Sequence, residues 1–463
     1  MKKLRLIAII SVVAAILLIA AVVLPAFAVN NDVEPYSPIG VNPPSSDPFT
    51  PKEHDRPDNF DSYVLSVQDI LKYKTNLETS FSARVDKDFI ENMKEKFGQE
   101  TVEKLAEALV NGKVSSEDLI KVIGFSEKAF LTILDDDLNR TEVLQNTNNG
   151  TTDFVFVGDI NFVDGLSVMN YYNSRKKGVE GIVSEEVLGI MRSATVTMGN
   201  NEFTLTKRGS PIPGKKFTFR GNPDNVSIYH EMGIDIVGLA NNHAFDYGPD
   251  SLTDTLATLD KAGIARIGAG ENLKEAKEAY YYIVNGYKIA IVAGSAIDPY
   301  STRGATDNQS GVFQIFNTSY MTKEIEAAKE KADFVIAYVH WGYESTTMIT
   351  ADQKSKGKAF IDAGADVVVG MHSHCMQGLE YYKGKLIVYS LGNFTFSSFP
   401  LTCGMLKTSI SQEGKIDNVY YPMMQKNNFT YINYGEDGKN QLAELRDISY
   451  NAKISDDFVV TEP

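Results

Sequence analysis

Four of the six histidines in this chain stand where short apolar runs stop. The runs close on Gly158-Asp159, Asn200-Asn201-Glu202, Asn241-Asn242-His243, His340 and His372-Ser373-His374. Two carboxylates, an asparagine oxygen and three imidazoles converging on one rim make a mixed oxygen and nitrogen donor set. Neutral imidazole suits zinc, iron or manganese, and a carboxylate bridges two such ions. A pair held about 3.5 to 4 Å apart polarises a substrate oxygen and generates hydroxide near neutral pH. The expectation is therefore one or two divalent metal ions. Taken singly, each histidine reads as a hydrogen-bonded, half-buried residue, and His-x-His alone is a weak motif; repetition at separate strand ends is what points to a metal. His54 and His230 fall in a polar stretch and a helical surface segment, where a solvated side chain is the default.

Such donors converge only if the elements behind them do. Apolar runs at 153–158, 235–240, 288–294, 333–340, 366–370 and 386–392 alternate with helical stretches at 250–262, 320–331 and 352–363. Buried strands alternating with helices predict an α/β domain with a largely parallel sheet. In open α/β sheets ligands bind outside the carboxyl ends of the strands. That is where the donors stand. After Gly404 the pattern turns to strands and polar turns, read as an edge of the same domain to residue 425 and a C-terminal tail over 426–463.

Composition excludes several alternatives. Apolar content of 43% and charged content of 23% over 463 residues are globular values with ample material for a large core. Sixty acidic against 45 basic residues, a net charge of -15, argue against a nucleic-acid partner, whose backbone is held by lysine and arginine. Cys375 and Cys403 are too few for a disulfide framework, a thiolate zinc site or an iron–sulfur cluster.

The N-terminal part differs from the rest. Lys2, Lys3 and Arg5 precede the apolar stretch from Leu6 to Leu24, which ends in Pro25 and Ala26-Phe27-Ala28. Residues 1–29 read as an export segment. The length of the stretch favours a retained membrane anchor and the Ala-Phe-Ala end a cleaved signal peptide. The basic flank would stay in the cytoplasm and leave the rest outside the cell. Residues 30–57, rich in Pro, Asp, Ser and Asn, form an expected disordered stalk. Spacings of three and four among Tyr63, Val64, Val67, Ile70 and Leu71, and among Val102, Leu105, Leu109 and Val110, predict a small all-helical module over 58–145. It reads as a spacer or docking unit.

The string from Gly238 to Gly248, GLANNHAFDYG, resembles the CapA family, linked to synthesis of poly-γ-glutamate capsule. So do Gly158-Asp159, His340-Trp341-Gly342 with Glu344, Gly370 with His372 and His374, and Tyr389 to Phe394. The resemblance covers about 153–425 and excludes the helical module. Family members look like calcineurin-type metallophosphoesterases, a sandwich of two mainly parallel or mixed sheets flanked by helices around a two-metal site. Carried over by position, the resemblance implies Asp159 and His374 on the first metal and Glu202 as the bridge. It places Asn242, His340 and His372 on the second metal. His243 takes the place of the histidine that protonates or stabilises the leaving oxygen, with Asp246 to orient it; imidazole suits that work because it changes charge near neutral pH. Asn241, Trp341, Glu344 and Asn393 are the candidate substrate contacts. For Trp341 the alternative is packing, and for Asn393 a hydrogen bond to its own backbone. Three residues depart from the pattern. Asn161 stands where a typical Asp-x-His motif has histidine, which weakens the first metal site; Asn201 replaces a leucine; and Cys375 follows His374 in place of an apolar residue. Cys375 is expected to pair with Cys403 or be merely buried, with soft-metal ligation as the alternative.

Two functions follow. One is a cell-surface, metal-dependent hydrolase of the phosphoesterase type acting on an anionic envelope polymer or a phosphoester during capsule biosynthesis. Because the chain is acidic, metals and local Lys or Arg must supply the attraction for such a substrate. The other is a non-catalytic, membrane-anchored accessory subunit with capsule synthase or export subunits as partners.

Overall fold

A computed structural model describes Ser126, Lys128, 140–144, Thr147, 150–297 and 303–463. The expected export segment, stalk and nearly all of the helical module lie outside the described residues. No described helix is long and apolar enough to cross a membrane.

Two sheets are stacked face to face. In the first, of seven strands, Tyr287–Ser295, Phe334–His340, Val367–Met371 and Lys385–Val388 run parallel in that spatial order. In the second, of ten strands, Thr152–Ile160, Val196–Asn201, Ile236–Gly238 and Ala265–Ile267 do the same. Alternation along each strand assigns the faces, because successive side chains point to opposite sides. Phe154, Phe156, Val196 and Met198 meet Ile289, Ile291, Ile336, Tyr338, Val367 and Val369 in the core between the sheets. Val155 and Val157 turn the other way, onto helices Glu185–Ser193 and Pro249–Ala262. Val335, Ala337, Val339 and Val368 pack outward under helices Thr318–Lys331 and Ala351–Asp362. The order helices, sheet, sheet, helices is the sandwich that the family resemblance implies.

Local chemistry stops the helices where the strands need to begin. Thr350 and Gln353 form a reciprocal capping box at the start of Ala351–Asp362. Pro249 opens the 14-residue helix Pro249–Ala262, and Gly263 closes it at φ 71. Each turn returns the chain to the amino edge of a sheet, so the carboxyl ends of both parallel sets face one rim.

Of residues 386–392, read as one strand, only 386–388 are strand, and the chain then leaves the first sheet for the second. Lys385–Val388 belongs to the first sheet, and Asn393–Thr395 pairs with Thr152–Ile160 in the second. The expected tail beyond 425 is also part of the domain. Phe429–Ile432 and Val459–Thr461 pair with Ile416–Lys426, while Leu442 and Leu445 of helix Gly435–Asp447 enter the core between the sheets. Its polar composition concealed this because only one face of each element is buried.

Candidate metal centre

Each donor is carried by the end of a strand. Asp159 lies in register with Asn200 on the neighbouring strand, and its N–H donates to Gly392 O at 2.9 Å. Glu202 follows Asn201 directly and is fixed by its own N–H on Ile160 O at 3.0 Å. His340 closes its strand opposite Met371. His372 and His374 occupy the turn after Met371 with φ of 101° and 57°. Positive φ is costly for a residue with a Cβ, and it clusters where a side chain must be aimed. Here two imidazoles two residues apart are turned into the same rim.

The donors form two groups that share one residue. Ligand atoms of Glu202, His340 and His372 all lie within 4.8 Å of one another, as do those of Asp159, Glu202 and His374. His340 Nε2 stands 2.9 Å from His372 Nδ1 and 2.8 Å from Asn242 Oδ1. His374 Nδ1 is 3.3 Å from Asp159 Oδ2 and 2.8 Å from Asn393 Oδ1. Glu202 is fully buried, yet neither of its oxygens has a hydrogen-bond partner, and Asp159 Oδ2 has none either. Buried carboxylate oxygens almost always find a donor or a cation. Three buried oxygens without hydrogen bonds among three imidazoles are a donor set that fits divalent cations.

The charge balance points the same way. Burial drives the His340 imidazole down to about 3, against the raising influence of Asp159, and holds His372 well below its usual range, so both rings are neutral and open to ligation. Burial also lifts the Glu202 carboxyl well above the ordinary range, helped by the neighbouring Asp159 charge. For His374 burial opposes protonation, but Glu202 and Asp159 outweigh it and raise the ring to about 10. Burial would raise Asp159 too, yet its contacts with His374, His340 and Asn200 bring it below the usual value. Without a cation the pair Glu202 and His374 holds on to a proton. Bound cations would take its place.

His243 flanks this cluster. Its Nδ1 meets Asp246 Oδ2 at 2.7 Å, and its ring is 4.5 Å from that of Phe219. Burial lowers the His243 imidazole, although Asp246 works in the opposite direction. Asp246 is completely buried and also accepts from Lys215 Nζ and from the Phe219 N–H at 2.6 Å. Phe396 completes the wall, 5.6 Å from Phe219 and 4.8 Å from His374 between ring centroids.

The expected substrate contacts are placed differently. Asn241 is fully buried: Nδ2 donates to Asn200 Oδ1 and Asn201 O, and Oδ1 accepts the His243 N–H, so it braces the loop. Trp341 is packing. Its ring stacks on Phe360 and Tyr389, and Nε1 donates to Tyr389 O at 2.9 Å on the outer face of the first sheet. Asn393, also buried, faces His374 instead of its own backbone. Glu344 alone is exposed, and its charge is felt at Glu202.

Asn161 turns Oδ1 back onto the Val163 N–H, and Asn201 joins Tyr229 Oη to Phe203 O. Cys375 and Cys403 are free thiols, and neither enters the two donor groups. Of the two expectations for Cys375, pairing and burial, the pairing is not formed, Cys403 facing the helix-covered core, and Cys375 is half-buried.

Sequence reasoning missed Asn200, whose Nδ2 donates to Asp159 Oδ1 at 2.7 Å and lies 3.3 Å from His340 Nδ1. Its place two residues before Glu202 was the available signal. Nothing local marked Lys215, Phe219 or Phe396.

Residues 153–398 match the family described as bacterial capsule synthesis protein PGA_cap. Relatives include the capsule biosynthesis protein CapA of Bacillus anthracis, 32% identical over 56% of this chain and 64% of the relative. The PGA biosynthesis protein CapA of Bacillus subtilis is 34% identical over 52% of this chain and 62% of its own. The chain thus spans just under two thirds of the length of each. Among solved structures, a putative 5'-nucleotidase from Staphylococcus aureus covers 64% of this chain and 58% of its own at 17% identity, with a TM-score of 0.38. With more than half of its length matched, including every donor of the two groups, this chain belongs to the bacterial capsule synthesis protein family PGA_cap.

Proposed function

We propose that this protein is a metal-dependent hydrolase of the phosphoesterase type, acting outside the cell on an anionic polymer or phosphoester of capsule synthesis and tethered through residues 1–29. The observation that carries the reading is Glu202, shared by both donor groups and buried with neither oxygen hydrogen-bonded. Asn242, Glu202, His340 and His372 would hold one divalent cation, and Asp159, Glu202 and His374 the other. When bound, such a pair polarises a substrate oxygen and supplies hydroxide near neutral pH.

The chain's own residues do the rest. Asp246 holds His243 by Nδ1 and favours the protonated ring against burial; in that form Nε2–H would give its proton to the departing oxygen, leaving the neutral ring with its N–H on Asp246. Phe219 and Phe396 narrow the space above the imidazoles and limit water there. Asn200 positions Asp159 and His340 together.

The test is metal analysis of the purified full-length chain, followed by hydrolysis of bis(p-nitrophenyl) phosphate by the wild type and His243→Ala. Bound metal with activity lost in the variant supports the reading. A folded, metal-free protein sinks it, and activity indifferent to the substitution sinks the role of His243. A second reading, an accessory subunit without turnover, draws on the closure of the site: His243, His340 and His372 are each 4% exposed or less.

A further inference from the structure

The segment from Thr206 to Arg220 runs against the charge of the whole molecule. In a chain of net charge -15 it contains Lys207, Arg208, Lys215, Lys216 and Arg220 and no Asp or Glu. It is tied off at its base by the parallel pairing of Thr204–Leu205 with Arg220–Gly221. Pro211 and Pro213 restrict its backbone. Gly209, at φ 80, lies so near the Tyr247 carbonyl that a Cβ there would come within 2.0 Å of its oxygen. The arm is therefore stiff and pressed onto the loop that carries Asn242, His243 and Asp246.

Asp246 is the clasp. Its backbone oxygen accepts the Ile212 N–H at 2.9 Å, one carboxylate oxygen takes Lys215 Nζ, and the other takes the Phe219 N–H. The same carboxylate holds His243. One residue therefore registers the arm against the candidate proton donor.

The cations divide into two kinds. Lys215 is 12% exposed and engaged by Asp246, and Arg208 is engaged by Asp254 and Asp250. These two hold the arm. Lys207 and Lys216 are exposed, and Lys216 stands over the ring of Phe217, itself 56% exposed. The Arg220 guanidinium lies over Tyr247 at 4.3 Å. No carboxylate pairs with Lys207, Lys216 or Arg220 among the described residues. Lys207 also borders a shallow depression of about 370 Å³ with Arg208, Thr258 and Lys261, whose one carboxylate, Asp254, is held by Arg208. Anchored cations inside and unpaired cations outside make a positive strip leading away from the His243 side of the centre.

We infer that this arm is the recognition element for substrate, binding acidic groups of an extended polyanion beyond the bond held at the metal centre. The inference deepens the hydrolase reading and rests on it. A polyanion approaching a molecule of overall negative charge is drawn toward such a strip, so the arm favours both that ligand class and an approach on the His243 side. Carboxylate and phosphate repeats share this chemistry.

The experiment is fluorescence anisotropy with the full-length chain in detergent at low salt, using labelled poly-L-glutamate, long-chain polyphosphate and neutral dextran. The variant K207Q/K216Q is compared with K323Q/K439Q, which removes the same charge from exposed sites elsewhere. The arm variant should weaken polyanion binding about tenfold, the combined effect of two exposed ion pairs, and added salt should erase the difference. Dextran should bind to neither, and the tighter of the two charged polymers names the acidic group. Equal loss in both variants, no loss in the arm variant, or no polyanion binding by the wild type overturns the proposal. Metal content measured in parallel separates the two claims. A metal-free chain that still binds polymer through the arm defeats the hydrolase, whereas a metal-loaded chain that ignores polymer defeats the recognition element.

Discussion

Asp246 receives His243 Nδ1 at 2.7 Å through a carboxylate that also takes Lys215. The imidazole is thereby fixed in one orientation, and the fixing group is itself neutralised. Replacing Asp246 with Asn keeps the shape but removes the charge and one acceptor. General acid catalysis contributes at least about a hundredfold, and Asp246→Asn should lose most of it. Phosphodiester turnover is expected to fall by about that factor in kcat, with KM and metal content close to wild type. Loss of metal together with activity would show instead that Asp246 shapes the centre and does not serve His243.

Glu202 is the residue on which both donor groups depend. Glu202→Gln keeps the volume and removes the charge, so divalent metal should be lost from both positions together. Asp159→Asn, which touches one group, should lower metal content only in part. The comparison is made by elemental analysis after dialysis. Equal, partial loss in both variants would mean that the two groups do not share a bridge.

The protonation pattern sets a pH dependence that changes sign with metal. In metal-free protein His374 is raised from 6.5 to about 10, so its stabilising contribution is fully present below pH 6.5 and fades as pH rises toward about 10. Glu202, raised well above 4.5, acts in the same direction, since its charged form is the disfavoured one. Metal-free protein should therefore lose thermal stability between pH 6.5 and 10. Metal-loaded protein should gain over the same interval, because ligation needs those protons gone. Thermal melts with and without chelator read both slopes. Parallel curves would exclude proton displacement at this site.

The sequence made the framework of the centre legible because strand ends are local features: an apolar run followed by Asp, Glu or His is visible without knowing what lies beside it. All six expected metal donors stand on one rim for that reason. What packs against what is not local. Trp341 follows His340 but, one residue on, points to the opposite face of the sheet, so adjacency in sequence misled. Asn241 precedes two candidate site residues and braces His243 through its backbone N–H. Lys215 and Phe219 come from a segment with no apolar period, and only the clasp at Asp246 brings them to His243. The elements beyond residue 425 were obscured because their buried faces are completed by strands far away in sequence.

Glycine in two of the family motifs has a purely steric cause, and it gives the sharpest test of how Asp159 is placed. At Gly158 the strand crosses the 389–394 segment so closely that a Cβ would sit 1.8 Å from Gly392 O. Gly392, at φ 71, would in turn put a Cβ 2.9 Å from the Cys375 backbone. Three segments bearing Asp159, His374 and Asn393 thus meet backbone to backbone, and their side chains converge because no side chain separates them. Gly158→Ala must push the strands apart. It should cost about 3 kcal/mol, the upper end for overpacking, and reduce metal content, because Asp159 moves with its strand. Gly189→Ala is the matched control. Gly189 lies inside helix Glu185–Ser193 with open space where the Cβ would go, and alanine there should stabilise by about 0.5 to 1 kcal/mol with metal unchanged. Chemical denaturation and metal analysis of the two variants decide the matter. If Gly158→Ala folds with wild-type stability and full metal, the close crossing does not set the position of Asp159.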